Sequence, residues 1–194
     1  MADIDLATWR LIGGGSERKC YQDPQDPARL IKVSPKQDAK QTLREIEYYR
    51  YLMDHKVPFD HIPLFYSKFE QDGLIGIEQE LILDSPGSTE PAQHLHKYLD
   101  QPLSDAQIAG LHQAFAKFKD YLMKWDIVIS DLQLSNVVVH KNGDSIHLVM
   151  IDGLGSTELI PVSRWFKRIC RQKTDRHWAK FCRKITRENP NITF

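Results

Sequence analysis

Apolar runs and polar breaks divide the first 33 residues into short extended segments. Leu11-Ile12 lead into Gly13-Gly14-Gly15, Lys19-Cys20-Tyr21 follow, and Leu30-Ile31-Lys32-Val33 comes after the turn-forming Asp23-Pro24-Gln25-Asp26-Pro27. Apolar segments bounded by Gly and Pro predict strand, glycine loop, strand, turn, strand over residues 9–33. From about Asp38 to Asp54 there is neither Gly nor Pro, and Leu43, Ile46, Tyr49 and Leu52-Met53 fall near helical spacing, which predicts one helix. Pro58 and Pro63 end it. Two strands are expected next, 64–69 and 74–83, joined at Asp72-Gly73, a strong hairpin signal.

A polar stretch with Pro86, Gly87 and Pro91 reads as the hinge between two parts, residues 1–84 and 85–194. Ser104 is the expected N-cap of a second helix whose stripe is Ile108, Leu111, Phe115, Phe118 and Leu122. Strands are then expected at Ile127-Val128, at 137–140 and at 146–151, with Asn142-Gly143 suited to a type I′ turn. Trp165, Phe166, Ile169, Trp178, Phe181 and Ile185 recur at helical intervals and predict one or two amphipathic helices docked on the C-terminal part.

Of the 194 residues, 41% are apolar and 27% charged, an ordinary globular balance. The formal net charge is zero, but between Arg164 and Arg187 there are ten Lys or Arg and one acid, Asp175. Such a segment attracts an anionic ligand even when the total charge is balanced. Its plainest reading is the solvated face of amphipathic helices, which is preferred over nucleic-acid binding. No apolar run approaches the roughly 20 residues that span a bilayer, and no secretory signal pattern opens the chain. Three cysteines without metal-ligand spacing imply no disulfide framework, so the expected compartment is the cytoplasm. His94 and His96 are expected at the surface.

Five features carry candidate chemistry. Gly13, Gly14, Gly15 and Ser16 form a loop whose backbone N–H groups suit phosphate oxygens, or else a tight hairpin. Lys32 is a cation within an apolar strand, where it either reaches phosphates or sits on a wet strand face. Glu45, one residue before Ile46 and four before Tyr49, is preferred to Glu47 as the acid that holds this lysine. Asp131 stands five residues before Asn136, between a short strand and Val137-Val138-Val139. The carboxylate suits acceptance of a proton from an attacking hydroxyl, and the carboxamide oxygen suits Mg²⁺; an Asx-stabilised turn is the bland alternative. Asp152, followed by Gly153, ends an apolar strand and suits a second metal-ligating carboxylate, or a simple strand-ending turn.

In their order, these features resemble the protein-kinase signature set over residues 11–155. The resemblance implies an α+β, bilobal protein-kinase-like fold with a β-rich N-lobe and a reduced, mainly helical C-lobe. It further implies ATP with Mg²⁺, bound near Glu80 and Ile82. The segments Gly13-x-Gly-x-x-Arg-x-Cys-Tyr, Ile31-Lys32-Val33, Arg44-Glu45-Ile46-x-Tyr48-Tyr49 and Leu159-Ile160-Pro161 before Trp165 are similar to the YrbL family, small bacterial kinase-like proteins linked to the PhoP regulatory network.

The pattern departs from ordinary protein kinases in three places. Arg18 stands where the third loop glycine is usual and is expected to meet phosphate or to salt-bridge elsewhere. Ile129-Ser130 replaces the His-Arg before the catalytic Asp, and Gly153 replaces the Phe of the metal motif. Only 39 residues follow Gly155, too few for a full activation segment and peptide-docking subdomain. The expected activity is therefore ATP- and Mg-dependent phosphoryl transfer to an unidentified hydroxyl acceptor, whether small-molecule, lipid-linked or protein. Asp131, Lys32 and Glu45 are its catalytic candidates. Gly13, Gly14, Gly15, Ser16, Arg18, Lys32, Glu80 and Ile82 are the nucleotide-binding candidates, and Asn136 and Asp152 the metal ligands. The alternative is a nucleotide-binding pseudokinase acting as a regulatory module.

Overall fold

The computed structural model describes residues 4–15, 18–143, 145–155 and 167–192. The protein is α+β, with a β-rich N-terminal part and helices toward the C-terminus. Two compact units emerge from its packing. The first comprises Met1–Phe59, Pro63–Leu83 and Gly87–Pro91; the second comprises Asp60–Ile62, Asp84–Pro86 and Ala92–Phe194. No described helix is long and apolar enough to cross a membrane.

The first unit is an antiparallel sheet of β1 (Arg10–Gly14), β2 (Lys19–Gln22), β3 (Arg29–Pro35), β4 (Phe65–Gln71) and β5 (Leu74–Glu80), in the order β1-β2-β3-β5-β4. Residues pointing to opposite faces alternate along a strand, and central β3 uses both. Ile31 and Val33 pack with Phe69 and the partly buried Ile4, Leu6, Trp9, Tyr21 and Leu74. Lys32 and Ser34 turn the other way, toward α1 (Lys40–Asp54), where Ser34 and Thr42 share a buried 2.7 Å hydrogen bond. The β4–β5 turn is as expected: Gln71 pairs with Leu74, and Asp72 and Gly73 take φ of +50° and +75°, the left-handed pair of a type I′ turn.

Helix α1 differs from its predicted stripe. Leu43 and Met53 are exposed, whereas Thr42, Glu45, Ile46, Tyr48, Tyr49 and Leu52 are buried. Two polar residues on the inward face find partners on β3, and this shifts the buried stripe away from the purely apolar one. The helix ends in a Schellman motif: Lys56, at φ +52°, lets Val57 N–H reach Leu52 O at 3.0 Å.

In the second unit, β6 (Gln93–His94), β7 (Val137–Asn142) and β8 (Ser145–Met150) form a sheet in that order; α2 (Leu95–Leu99) and α3 (Asp105–Lys124) lie between β6 and β7 in the chain, and α4 (Lys167–Glu188) follows β8. Ser104 caps α3 in a full capping box with Gln107. Leu111, Phe115, Phe118 and Leu122 are buried as expected, while Ile108 is only half-buried. Phe115 and Phe118 meet Trp178 edge-on at 6.3 and 6.0 Å, joining α3 to α4. Trp165 and Phe166, assigned to the C-terminal helices, lie outside the described residues.

Three expectations change here. Ile127-Val128 joins no ladder, because Ile127 O accepts from Thr174 and Val128 O from Gly155 N–H; the pairing at this point is a single bridge, Ile129 to Leu154. Asn142 belongs to β7, paired with Ser145, so Gly143, at φ +58°, takes the first corner of that turn. His94 and His96 are half-buried, not surface residues, because β6 adds to β7 and His94 Nδ1 bonds Ser135 O at 2.7 Å.

Candidate functional site

In the first unit the chemistry gathers around Glu45. Lys32, 5% exposed on β3, places Nζ 3.2 Å from Glu45 Oε1; the other oxygen, Oε2, accepts a hydrogen bond from the Arg18 guanidinium. Arg18 and Glu45 are themselves 9% and 4% exposed. Charges this deep persist only when paired and hydrogen-bonded, since losing their water costs several kcal/mol per ion. One carboxylate therefore fixes two cations, one on each oxygen. Arg18 also closes the glycine loop, its carbonyl accepting from Gly15 N–H at 2.9 Å. A side chain added at Gly13 or at Gly15 would meet nothing within 4 Å among the described residues. Ser16 lies outside the described residues.

In the second unit, Asp131, Asn136 and Asp152 are brought together by backbone bonds around Gly153. The Gly153 carbonyl accepts from Ser130 N–H and Ser130 Oγ, each at 2.9 Å, and from Asp131 N–H at 3.4 Å. Asn136 Nδ2 donates to Asp131 O at 3.1 Å, and its Oδ1 accepts from Ser135 Oγ at 3.5 Å. Asn136 O receives Ile151 N–H at 2.8 Å, linking the loop to the strand that carries Asp152. Asp152 Oδ1 accepts from Gly153 N–H at 2.7 Å, which orients that carboxylate. Gly153 is obligatory here: its φ is +80°, and a Cβ would stand 2.2 Å from Asp131 O.

Asp131 is exposed, whereas Asn136 and Asp152 are half-buried. One oxygen of Asp131, Oδ2, accepts from Gln133 Nε2 at 2.8 Å. An exposed carboxylate beside two fixed oxygen donors suits a proton acceptor next to a hard divalent cation, which prefers oxygen ligands. No cluster of three or more His, Cys, Asp or Glu forms a metal cage among the described residues.

Glu80, assigned to nucleotide, accepts from Leu64 N–H at 3.1 Å, and Ile82 follows β5 half-buried. Sequence reasoning missed Gln133 and His177. Nothing in the pattern singles out either, since each needs Asp131 beside it to acquire meaning. His177 on α4 has Asp131 among its electrostatic neighbours, and burial lowers its pKa while that carboxylate opposes the shift.

The sequence profile described as PhoP regulatory network protein YrbL matches residues 4–186. The chain belongs to the YrbL family. Proteins named "Uncharacterized protein YrbL" from Escherichia coli (strain K12) and Shigella flexneri are each 32% identical to it over 182 residues, covering 92% of this chain and 86% of theirs. The matched span holds every candidate residue from Gly13 to Asp152.

Proposed function

We propose that this YrbL-family protein is a protein-kinase-like phosphotransferase that uses ATP and Mg²⁺ to phosphorylate a hydroxyl acceptor. The observation that supports the reading most is the assembly of Asp131, Asn136 and Asp152 around Gly153. The buried pairing of Lys32 with Glu45 supports it independently. Lys32, held by Glu45, is suited to a nucleotide phosphate, and the side-chain-free Gly13–Gly15 segment lets the same ligand approach the backbone closely. Asn136 and Asp152 would hold Mg²⁺, which when bound neutralises charge on the phosphates.

Asp131 takes the proton of the acceptor hydroxyl as that oxygen bonds to the γ-phosphorus. ADP leaves with the electrons of the broken phosphorus–oxygen bond. Catalysis of this kind is mainly positioning and electrostatics, so pre-set donors matter more than reactive groups. The family description ties YrbL to the PhoP regulatory network, and the acceptor is unidentified.

Calorimetry with Mg-ATP and a γ-phosphate release assay test this. Wild type is expected to bind Mg-ATP and to gain about 2.7 kcal/mol of stability at a hundredfold excess over Kd. Asp152→Asn should lose the metal dependence of binding, and Asp131→Asn should bind normally but not release phosphate. No Mg-dependent ATP binding at millimolar nucleotide would refute the reading. A binding module without transfer is the second reading, favoured by the Gln133 bond to Asp131 Oδ2. Saturable Mg-ATP binding with no phosphate release, by wild type or by Gln133→Ala, would select it.

A further inference from the structure

Arg18 stands where a third loop glycine is usual, and its two halves serve different elements of the first unit. Its backbone belongs to the glycine turn. The Arg18 carbonyl accepts from Gly15 N–H at 2.9 Å, and a Cβ on Gly14 would stand 3.2 Å from the same oxygen. Gly14 pairs with Lys19 and Gly13 with Cys20, so the turn closes tightly onto β1 and β2. Its side chain belongs to α1, where the guanidinium Nη1 donates to Glu45 Oε2.

The alternation of side chains along β2 decides which residue can make this link. Cys20 pairs directly with Lys32 across β2 and β3, and directly opposed residues share a face of the sheet. Arg18 is two positions before Cys20, and it meets the same carboxylate as Lys32, so all three lie on the α1 side. Lys19, opposite Val33, faces the other way and is exposed. A glycine at position 18 would leave the turn attached to the sheet by backbone alone. The arginine ties it to α1 through a side chain 9% exposed, and through the other oxygen of Glu45 to Lys32 Nζ at 3.2 Å. The turn cannot move away from α1 without breaking this buried ion pair, and buried charges hold their partners firmly.

We propose that Arg18 is a positioning residue for the nucleotide phosphates: acting through Glu45, it keeps the glycine turn and Lys32 in register, so that both meet the same triphosphate. This inference rests on the nucleotide reading above. Its consequence is selective. The turn and Lys32 are assigned to phosphates, so loosening their register costs a ligand that carries phosphates and spares one that carries only base and ribose.

Calorimetry on the full chain with Mg-ATP and with adenosine reads this difference. Arg18→Gln leaves Lys32 on Glu45 and is expected to fold, with a cooperative urea transition. It should weaken Mg-ATP about tenfold, the order of one charge-assisted hydrogen bond, and leave adenosine affinity unchanged. Arg18→Lys keeps a cation toward Glu45 and should recover most of the loss. Equal weakening of both ligands overturns the proposal, since Arg18 would then serve only the fold of the unit. A lysine variant as weak as the glutamine one overturns it too, and this arm decides where adenosine binds too weakly to titrate or the glutamine variant does not fold. Mg-ATP binding by Arg18→Gln equal to that of wild type defeats this inference alone. Wild type that binds no Mg-ATP refutes the nucleotide reading and this inference with it.

Discussion

Glu45 is the residue on which the first unit's chemistry turns, and its two oxygens are committed to two cations. Neutralising it removes a charged partner from each of two buried cations, and breaking a buried pair costs about 3–5 kcal/mol. Glu45→Gln is therefore expected to lower the urea midpoint strongly. Lys32→Met should be much milder, because Arg18 still satisfies the carboxylate, yet it should weaken Mg-ATP binding about tenfold or more, the worth of a charged hydrogen bond. Equal destabilisation by the two substitutions would contradict this division of labour. At Gly153 the constraint is steric. Gly153→Ala forces a methyl to within 2.2 Å of Asp131 O at φ +80°, and a strained left-handed residue alone costs about 1–3 kcal/mol. The loop must shift, so Asp131 and Asn136 lose their register. Equilibrium unfolding with parallel Mg-ATP calorimetry would show both losses, and wild-type values in the alanine variant would refute the close packing.

At the scale of elements, strands and helices with strong local signals were legible and those defined by partners were not. The Asp72-Gly73 hairpin and the Ser104 cap follow from turn and capping chemistry contained in a few residues. Ser104→Ala should cost about 1 kcal/mol, seen as a lower thermal midpoint, whereas Leu43→Ala, on an exposed position, should change it little. A silent Ser104→Ala would mean that α3 draws nothing from its cap. By contrast, β6 is two residues long and exists only because β7 lies beside it. The inward face of α1 was misread at Leu43 for a related reason. Thr42 and Glu45 look like solvent residues until Ser34 and Lys32 are opposite them. Lys32, Glu45, Asp131, Asn136 and Asp152 could be named beforehand because their order and types are distinctive. Gln133 and His177 could not, as their significance is wholly a matter of three-dimensional neighbourhood.

Across the whole molecule, acid should act through histidine before it acts on carboxylates. His61, His94 and His177 all have pKa values lowered, in each case first by burial. His61 is the most enclosed of them. Its Nδ1–H donates to Leu148 O at 2.7 Å, its ring stacks on His147 at 4.4 Å, and Phe118 and Tyr121 tilt against it at 5.5 and 5.1 Å. The neighbouring charges pull in both directions, with His147 and Lys117 lowering the pKa and Asp60 raising it. Below the ordinary imidazole value of about 6.5 the unfolded chain binds these protons more readily than the native one. Stability must then fall as pH falls. The contribution is complete above that value and is lost progressively toward the depressed native values. Glu70, held down to about 2 by Lys36 and Lys68, and Glu90, lowered by Arg10, release theirs at lower pH and on exposed surface, where solvent screens them. Urea midpoints should accordingly decline from pH 7.5 to pH 5.5 at fixed ionic strength. His61→Gln keeps a donor toward Leu148 O but does not titrate, so its overall stability will be lower and its decline shallower. A decline as steep in that variant as in wild type would remove His61 from the account and leave His94 and His177 as its source.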